Sequence, residues 1–189
     1  MPISLLSKVV NGIKGGVNAT IKGTADVGST LVNSVKNVAV TTIKGTGELI
    51  VKGLQVPASI VKGAIDGLSE LGVSLVRSIK GIVDGAVQGA MESGVPQEDA
   101  VRGTVSQAIH SAKDLGADVA SVAVEAVKGA ISGVKQVGGD SVSATKNAVH
   151  AALDASKEIG NEALESVKTA LHETVDGAKE IIDEVKAKA

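Results

Sequence analysis

The chain has 189 residues, no cysteine, phenylalanine, tyrosine or tryptophan, and a formal net charge of −2 at neutral pH. The lack of cysteine excludes a disulfide framework and thiol catalysis, and the lack of aromatic residues excludes a core built on large rings. The sequence contains no stretch of about eighteen uncharged apolar residues, so it predicts no membrane-spanning helix. The first residues lack a basic stretch ahead of an apolar run, so the sequence predicts a cytoplasmic protein without a secretory signal.

An eleven-residue repeat runs through almost the whole chain. Steps of eleven from Val10 to Val175 meet sixteen positions, of which fifteen are apolar, and the exception is Glu98. Eleven residues fill three helical turns at about 3.67 residues per turn, so this spacing keeps one apolar stripe aligned along a helix. The repeat predicts an all-α fold of long amphipathic helices, either elongated or folded into a hairpin or bundle.

The first predicted segment, 1–56, is a basic and glycine-rich repeat with a helix at 3–55. Up to Pro57 it holds six lysines against Asp26 and Glu48, a formal charge of +4. Fifteen of the twenty-three glycines precede residue 96, and each costs about 1 kcal/mol relative to alanine inside a helix. We therefore expect the first half of the chain to be a weak helix that needs a partner.

Two prolines divide the rest of the chain. Pro57 lacks a backbone donor, which predicts a break and the start of a central segment, 57–95, with a helix at 58–94. Pro96 is followed by acidic residues, a pattern typical of a helix start, because carboxylates favour the positive end of the helix dipole. The last segment, 96–189, is predicted to hold the most stable helix, at 97–187, and carries a formal charge of −5 from residue 97 onward.

A longer period of 22 residues overlies the repeat. Glycines recur at positions 72, 94, 116, 138 and 160, with valines at the intervening steps of eleven. This pattern indicates tandem duplication, and glycines in that column would let two helices approach closely. The run Val38–Ile43 has high β propensity and little charge, so a β-solenoid with 22 residues per coil is the alternative fold. The helical separation of charged from apolar positions argues against it.

Two sets of positions are predicted to form the interacting surface. The apolar column, expected to contact lipid or a partner, consists of Val10, Ile21, Val32, Ile43, Leu54, Ile65, Val76, Val87, Ile109, Ile131, Val142, Leu153, Leu164 and Val175. Cations flank it, since a lysine at the edge of an apolar face can bury its methylenes and keep its ammonium in water. The flanking cations are Lys14, Lys36, Lys80, Arg102, Lys113, Lys135, Lys146, Lys157, Lys168 and Lys179.

No pattern in the sequence indicates catalysis. The histidines are His110, His150 and His172, and the last two are too far apart for one helix to present both to a metal ion. The serines lack a nucleophile elbow or a paired base. The glycine-rich pieces lack the strand and the full motif of a phosphate-binding loop, and no aromatic residues accompany the basic ones, as nucleic-acid binding would favour. We predict a non-enzymatic protein with no cofactor, metal, nucleic-acid partner or small-molecule substrate.

The repeated Val-Lys-Gly and Ile-Lys-Gly-Thr units, with an uncharged face of small residues, resemble the lipid-droplet-coating repeats of perilipins. The eleven-residue period also resembles synuclein and late-embryogenesis-abundant repeats. The chain departs from the former by lacking the Lys-Thr-Lys-Glu unit, and from the latter by its mean hydropathy of +0.25. The resemblance implies a chain that is disordered in water and helical on lipid or on drying.

Two classes of function remain open on these observations. The first is an amphipathic-helix coat on a membrane or lipid droplet, because a wide apolar face with flanking lysines suits an interfacial helix. The second is a self-assembling helical bundle or filament, in which the same stripe contacts other copies of the chain. A stress protectant similar to late-embryogenesis-abundant proteins is a further alternative. The expected partners are thus a lipid surface or other copies of the protein, with peripheral attachment to a membrane or lipid droplet in the first case.

Overall fold

The computed structural model of the protein describes residues 28–45, 55–70, 72 and 74–188. This part of the chain contains eight α-helices and no strand. The helices are α1 (Gly28–Gly45), α2 (Gln55–Glu70), α3 (Leu75–Glu92), α4 (Gln97–Asp114), α5 (Val119–Gln136), α6 (Ser141–Ile159), α7 (Asn161–Thr174) and α8 (Ala178–Lys188). The all-α prediction is confirmed. The β-solenoid alternative is wrong, since Val38–Ile43 lies inside α1.

The helices repeat every 22 residues, so each helix and its turn span two of the eleven-residue repeats, and no helix runs through many of them. α3, α4, α5 and α6 begin at residues 75, 97, 119 and 141, and each has 18 or 19 residues before a short turn. The helical stretches predicted at 58–94 and 97–187 are therefore too long, since turns divide each of them into shorter helices. Of the predicted helix at 3–55, the structure describes a part that ends at Gly45, and the remainder lies outside the described residues.

A glycine with positive φ follows the helix in most of these units. Gly94, Gly116 and Gly138 have φ values of 97°, 68° and 76°, a region that residues with a Cβ disfavour. After Gly94, the amide of Val95 donates to the carbonyl of Ala90 at 3.0 Å, which is the hydrogen bond of a Schellman motif. The 22-residue glycine period therefore marks helix ends, and the predicted role of these glycines in close helix packing is wrong.

The residue just before the helix provides the start signal. Asp118 precedes α5 and accepts a hydrogen bond from the Ala120 amide at 3.1 Å. Asp140 precedes α6 and accepts one from the Val142 amide at 3.0 Å. Such caps satisfy amides that have no acceptor inside the helix. Hydrogen bonds from the hydroxyls of Ser121 and Ser143 lower the pKa of the two carboxyl groups below the ordinary aspartate value.

The two internal prolines lie at helix starts. Pro96 immediately precedes α4, so the helix start predicted after this residue is confirmed. Pro57 lies in the first turn of α2, which begins at Gln55. A backbone donor in the first turn has no partner within the helix, so the missing N–H of proline costs little there. Pro57 therefore belongs to the start of a helix and does not interrupt one.

We expect acid to destabilise the fold partly through the two capping aspartates. Because folding lowers the pKa of Asp118 and Asp140, their contribution is complete above the ordinary aspartate value of about 3.9 and is lost as the pH falls below it. In the variant Asp118→Asn/Asp140→Asn, asparagine retains a capping oxygen but does not titrate. The melting temperature of this variant should vary less between pH 5 and pH 3 than that of the wild type, and the exposed control Asp114→Asn/Asp183→Asn should retain the wild-type slope. An unchanged slope in the capping variant would contradict this assignment.

The helices form two layers. α1, α3, α5 and α7 pack side by side in one layer, and α2, α4, α6 and α8 do so in the other. Neighbours within a layer are parallel, as the contacts between α1 and α3 demonstrate: Gly85 lies against Val32 and Lys36, and Gly89 lies further along α1 against Ala39. The apolar core lies between the layers and continues through all eight described helices. The division into segments 1–56, 57–95 and 96–189 stays a prediction.

Close contact within the first layer depends on glycines in the helix interior. A Cβ added at Gly85 would lie 2.5 Å from the carbonyl oxygen of Val32, and one at Gly133 would lie 2.7 Å from that of Asp84. A Cβ at Gly129 would overlap the carbonyl oxygen of Lys80. Because residues four apart share one helix face, Gly129 and Gly133 together form a flat strip on α5 against which the backbone of α3 packs.

Candidate functional site

The apolar column predicted from the sequence divides into two environments. In α3 to α6 it supplies the second and the thirteenth residue of each helix. Side chains at the thirteenth position face the core: Val87 and Ile109 have no exposed surface, and Leu153 is 5% exposed. Ile131, the corresponding residue of α5, is half-buried. The buried members of the column therefore contact other helices of the same chain.

Side chains at the second position share the helix face of the thirteenth, but they lie in the first turn of the helix, where the core covers them less. Val76 and Ala120 are half-buried, while Val142 is 80% exposed. Glu98 occupies this position in α4 and is also exposed. Its place in the apolar column is thus explained, because the second residue of a helix lies outside the core and a carboxylate there is stabilised by the helix dipole.

The rest of the column follows the same division. Val10, Ile21 and Leu54 lie outside the described residues. Ile43, Ile65 and Val175 are buried. Val32 and Leu164 are half-buried. The single continuous apolar face that the sequence predicted would require one long helix. In the structure the column is divided among short helices, and its members are buried where other helices pack on them and more exposed in first turns such as that of α6.

The predicted flanking cations do not form one row either. Lys14 lies outside the described residues. Lys36 pairs with Glu92 of the neighbouring helix at 2.9 Å, and Arg102 lies 3.3 Å from Glu98 and 3.5 Å from Asp154. Lys168 pairs with Glu165 on its own helix. The remaining predicted cations are exposed: Lys80, Lys113, Lys135, Lys146, Lys157 and Lys179.

Three of these exposed lysines meet at a groove near the C-terminal end of the protein. The groove has a volume of about 1200 Å³ and is lined by residues of α3, α5, α6 and α8 and of the turn before α8. Lys80, Lys135 and Lys146 line it together with Lys128, which the sequence did not single out. The apolar side chains of Ile131, Val142 and Ile181 also line the groove.

The two sides of the groove carry opposite charge. We call Lys80 of α3 with Lys128 and Lys135 of α5 the basic wall, and Asp176, Glu180 and Glu184 the acidic wall. α8 packs on α6 and α7 and, among the described helices, has no contact with α3 or α5, so the two walls belong to helices that do not touch. Lys128 lies 3.9 Å from Glu125. The other members of the two walls form no ion pair within the described part of the chain.

A buried polar cluster lies at the α3–α5 contact, and its residue Ser132 also lines the groove. Asp84 of α3 is 7% exposed. Its carboxylate accepts hydrogen bonds from Gln88 Nε2 at 2.6 Å and from Ser132 Oγ of α5 at 2.6 Å. Both carboxylate oxygens are therefore satisfied by the chain itself, which fixes the register of the two helices and leaves the cluster closed to a ligand.

Within residues 28–45, 55–70 and 74–188, no group of three or more histidine, aspartate or glutamate side chains is placed to hold a metal ion. His110 lies 3.2 Å from Glu158 of the neighbouring helix α6. Among the helices that the structure describes, none is long and apolar enough to cross a membrane.

No protein family and no curated protein matches the sequence. The fold is similar to a solved structure, the crystal structure of the de novo designed helical repeat protein DHR7, with a TM-score of 0.53. The alignment covers 100% of this chain and 96% of the designed protein at 18% sequence identity. Together with the 22-residue units and the two layers, this similarity defines the fold as that of an α-helical repeat protein.

Sequence reasoning missed the acidic wall and the groove. The eleven-residue columns contain Lys80, Lys135, Val142 and Ile131 as separate members. They gave no reason to join these residues to Glu180 and Glu184, because residues 38 or more positions apart along the chain meet only when the chain turns back. The change from a basic to an acidic composition does not identify the groove either, since Lys128, Lys135 and the acidic wall all lie in the acidic segment from residue 97 onward.

Proposed function

We propose that this chain is a non-enzymatic structural protein of the helical-repeat class that associates with copies of itself. The observation that carries the proposal is the burial of the thirteenth-position residues Val87, Ile109 and Leu153 between helices of the same chain. The apolar column already has protein as its partner. A surface made for helix-on-helix contact is suited to recognise a further helical unit.

A coat on a membrane or lipid droplet is the competing function. It would need the column to face lipid, and the buried residues would have to leave the core to do so. Lipid would only replace one apolar environment of these side chains with another, so the dense packing between the helices would be lost in each 22-residue unit without a compensating gain. The folded repeat therefore supports self-association more strongly than coating.

Circular dichroism and sedimentation of the full chain test the proposal. We expect a high helical content in buffer without lipid, a cooperative thermal transition and an oligomer at micromolar concentration. Addition of anionic vesicles should leave the helical content unchanged. A disordered monomer that becomes helical only on vesicles would overturn the proposal and favour the lipid coat. A helical monomer at every concentration would leave the fold in place but overturn self-association.

A further inference from the structure

We propose that the groove between α5 and α8 is the self-association surface and that its occupant is the same groove of a second copy of the chain. This inference rests on the proposed function and names the surface that carries it out. Three features of the groove support it: its opposite walls, its exposed apolar residues and its open space.

The charge pattern is self-complementary under one symmetry. When a second copy is placed over the groove by a two-fold axis that runs along it, each wall lies opposite the unlike wall of the other copy. Lys80 and Lys135 of one copy then face Glu180 and Glu184 of the other, and Glu180 and Glu184 of the first copy face Lys80 and Lys135 of the second. A two-fold axis across the groove would instead oppose like charges. Such an isologous contact closes after two copies and forms a dimer.

The apolar residues of the groove would lie near the centre of this contact. Val142 is 80% exposed, an unusual environment for an apolar side chain at the second position of α6, where α4 carries Glu98. Ile131 and Ile181 are half-buried beside it. An apolar centre with a charged rim is the usual arrangement of a protein interface, and the rim charges determine orientation through repulsion of like charges.

Charge exchange between the walls provides the test. Lys80→Glu/Lys135→Glu makes both walls acidic, and Glu180→Lys/Glu184→Lys makes both basic. Each variant alone should dimerise about tenfold more weakly than the wild type, because like charges then face one another. An equimolar mixture of the two variants should form a heterodimer of wild-type affinity. The chain that carries all four substitutions has its walls exchanged and should dimerise with itself again.

Matched controls separate the groove from net charge and from folding. Lys113→Glu/Lys157→Glu changes the net charge as the basic-wall variant does and removes lysines from the last turns of α4 and α6, away from the groove. It should dimerise as the wild type does. Val142→Gln should weaken dimerisation without lowering the melting temperature of the monomer, measured at a concentration at which neither protein associates. This variant keeps the test valid if the substitutions in α8 disturb that helix.

The outcomes distinguish the inference from the function on which it rests. If the wild type assembles and the two wall variants behave like the control, self-association stands and the groove assignment is wrong. If the wild type is monomeric throughout, the proposed function itself fails. If the wild type is monomeric and binds anionic vesicles, and the basic-wall variant alone loses this binding, the groove recognises lipid headgroups and the second copy is excluded as its occupant.

Discussion

The substitution Ile109→Glu is expected to unfold the protein or to lower its free energy of unfolding by more than about 4 kcal/mol, since a charge buried without a partner is among the most damaging of changes. Ile109 has no exposed surface. Val142, three steps of eleven further along the same column, is 80% exposed. The corresponding substitution Val142→Glu should change the stability of the monomer, measured below the concentration at which the chain associates, by less than about 0.5 kcal/mol.

The stabilities of these two variants test whether the apolar column is divided between the protein core and the surface. Urea denaturation followed by circular dichroism gives the free energies, and Ile109→Ala provides a milder reading if the glutamate variant does not fold. That alanine variant should lose about 2–5 kcal/mol. On one extended helix with a single apolar face, Ile109 and Val142 would be equivalent, so equal tolerance of glutamate at both positions in buffer would contradict the two-layer fold.

Gly129→Ala should destabilise the protein by about 1–3 kcal/mol, the usual cost of overpacking a tight contact. This result opposes the intrinsic preference of a helix, in which alanine is more favourable than glycine by about 1 kcal/mol. The added methyl group would overlap the carbonyl oxygen of Lys80 and force α3 and α5 apart. The double variant Gly129→Ala/Gly133→Ala should lose more than either single variant, because both glycines lie on the same strip.

Gly81→Ala provides the matched control for this effect. The three atoms nearest to a Cβ at Gly81 all belong to the side chain of Leu31, whose Cδ2 lies 3.1 Å away and can move. This variant should be as stable as the wild type or more stable by up to about 1 kcal/mol. Equal and stabilising effects of alanine at Gly81 and Gly129 in thermal denaturation would show that α3 and α5 are not in close contact at Gly129.

The helical class of the protein followed from the sequence because it depends on local spacing. Apolar residues eleven apart share a helix face whether the helix is long or short, so the all-α prediction did not require knowledge of the turns. The helix start after Pro96 was predictable for the same reason, since the missing donor and the acidic first turn act within a few residues.

The lengths of the helices were not predicted from the sequence, although the glycine period that marks the helix ends was visible in it. The 22-residue glycine period is visible in the sequence at Gly94, Gly116 and Gly138. It suggests two structures equally well, because a glycine in a helix can permit close packing or can end the helix with a positive φ. The positive φ values show that these glycines end the helices. The glycines that permit close packing, such as Gly129, lie elsewhere in the 22-residue unit.

By itself the sequence determined the periodicity, the helical class, the lack of aromatic and thiol groups and the change from a basic to an acidic composition, because all of these are properties of residue order and residue type. Only the tertiary structure decided which members of the apolar column are buried and which lysines meet which carboxylates. Val87 and Val142 are chemically identical members of one column, and their environments differ because Val87 lies between the two layers, whereas Val142 lies in the first turn of α6 and is 80% exposed. Burial and charge pairing arise between segments that are distant along the chain, and a local sequence pattern does not indicate which distant segments come into contact.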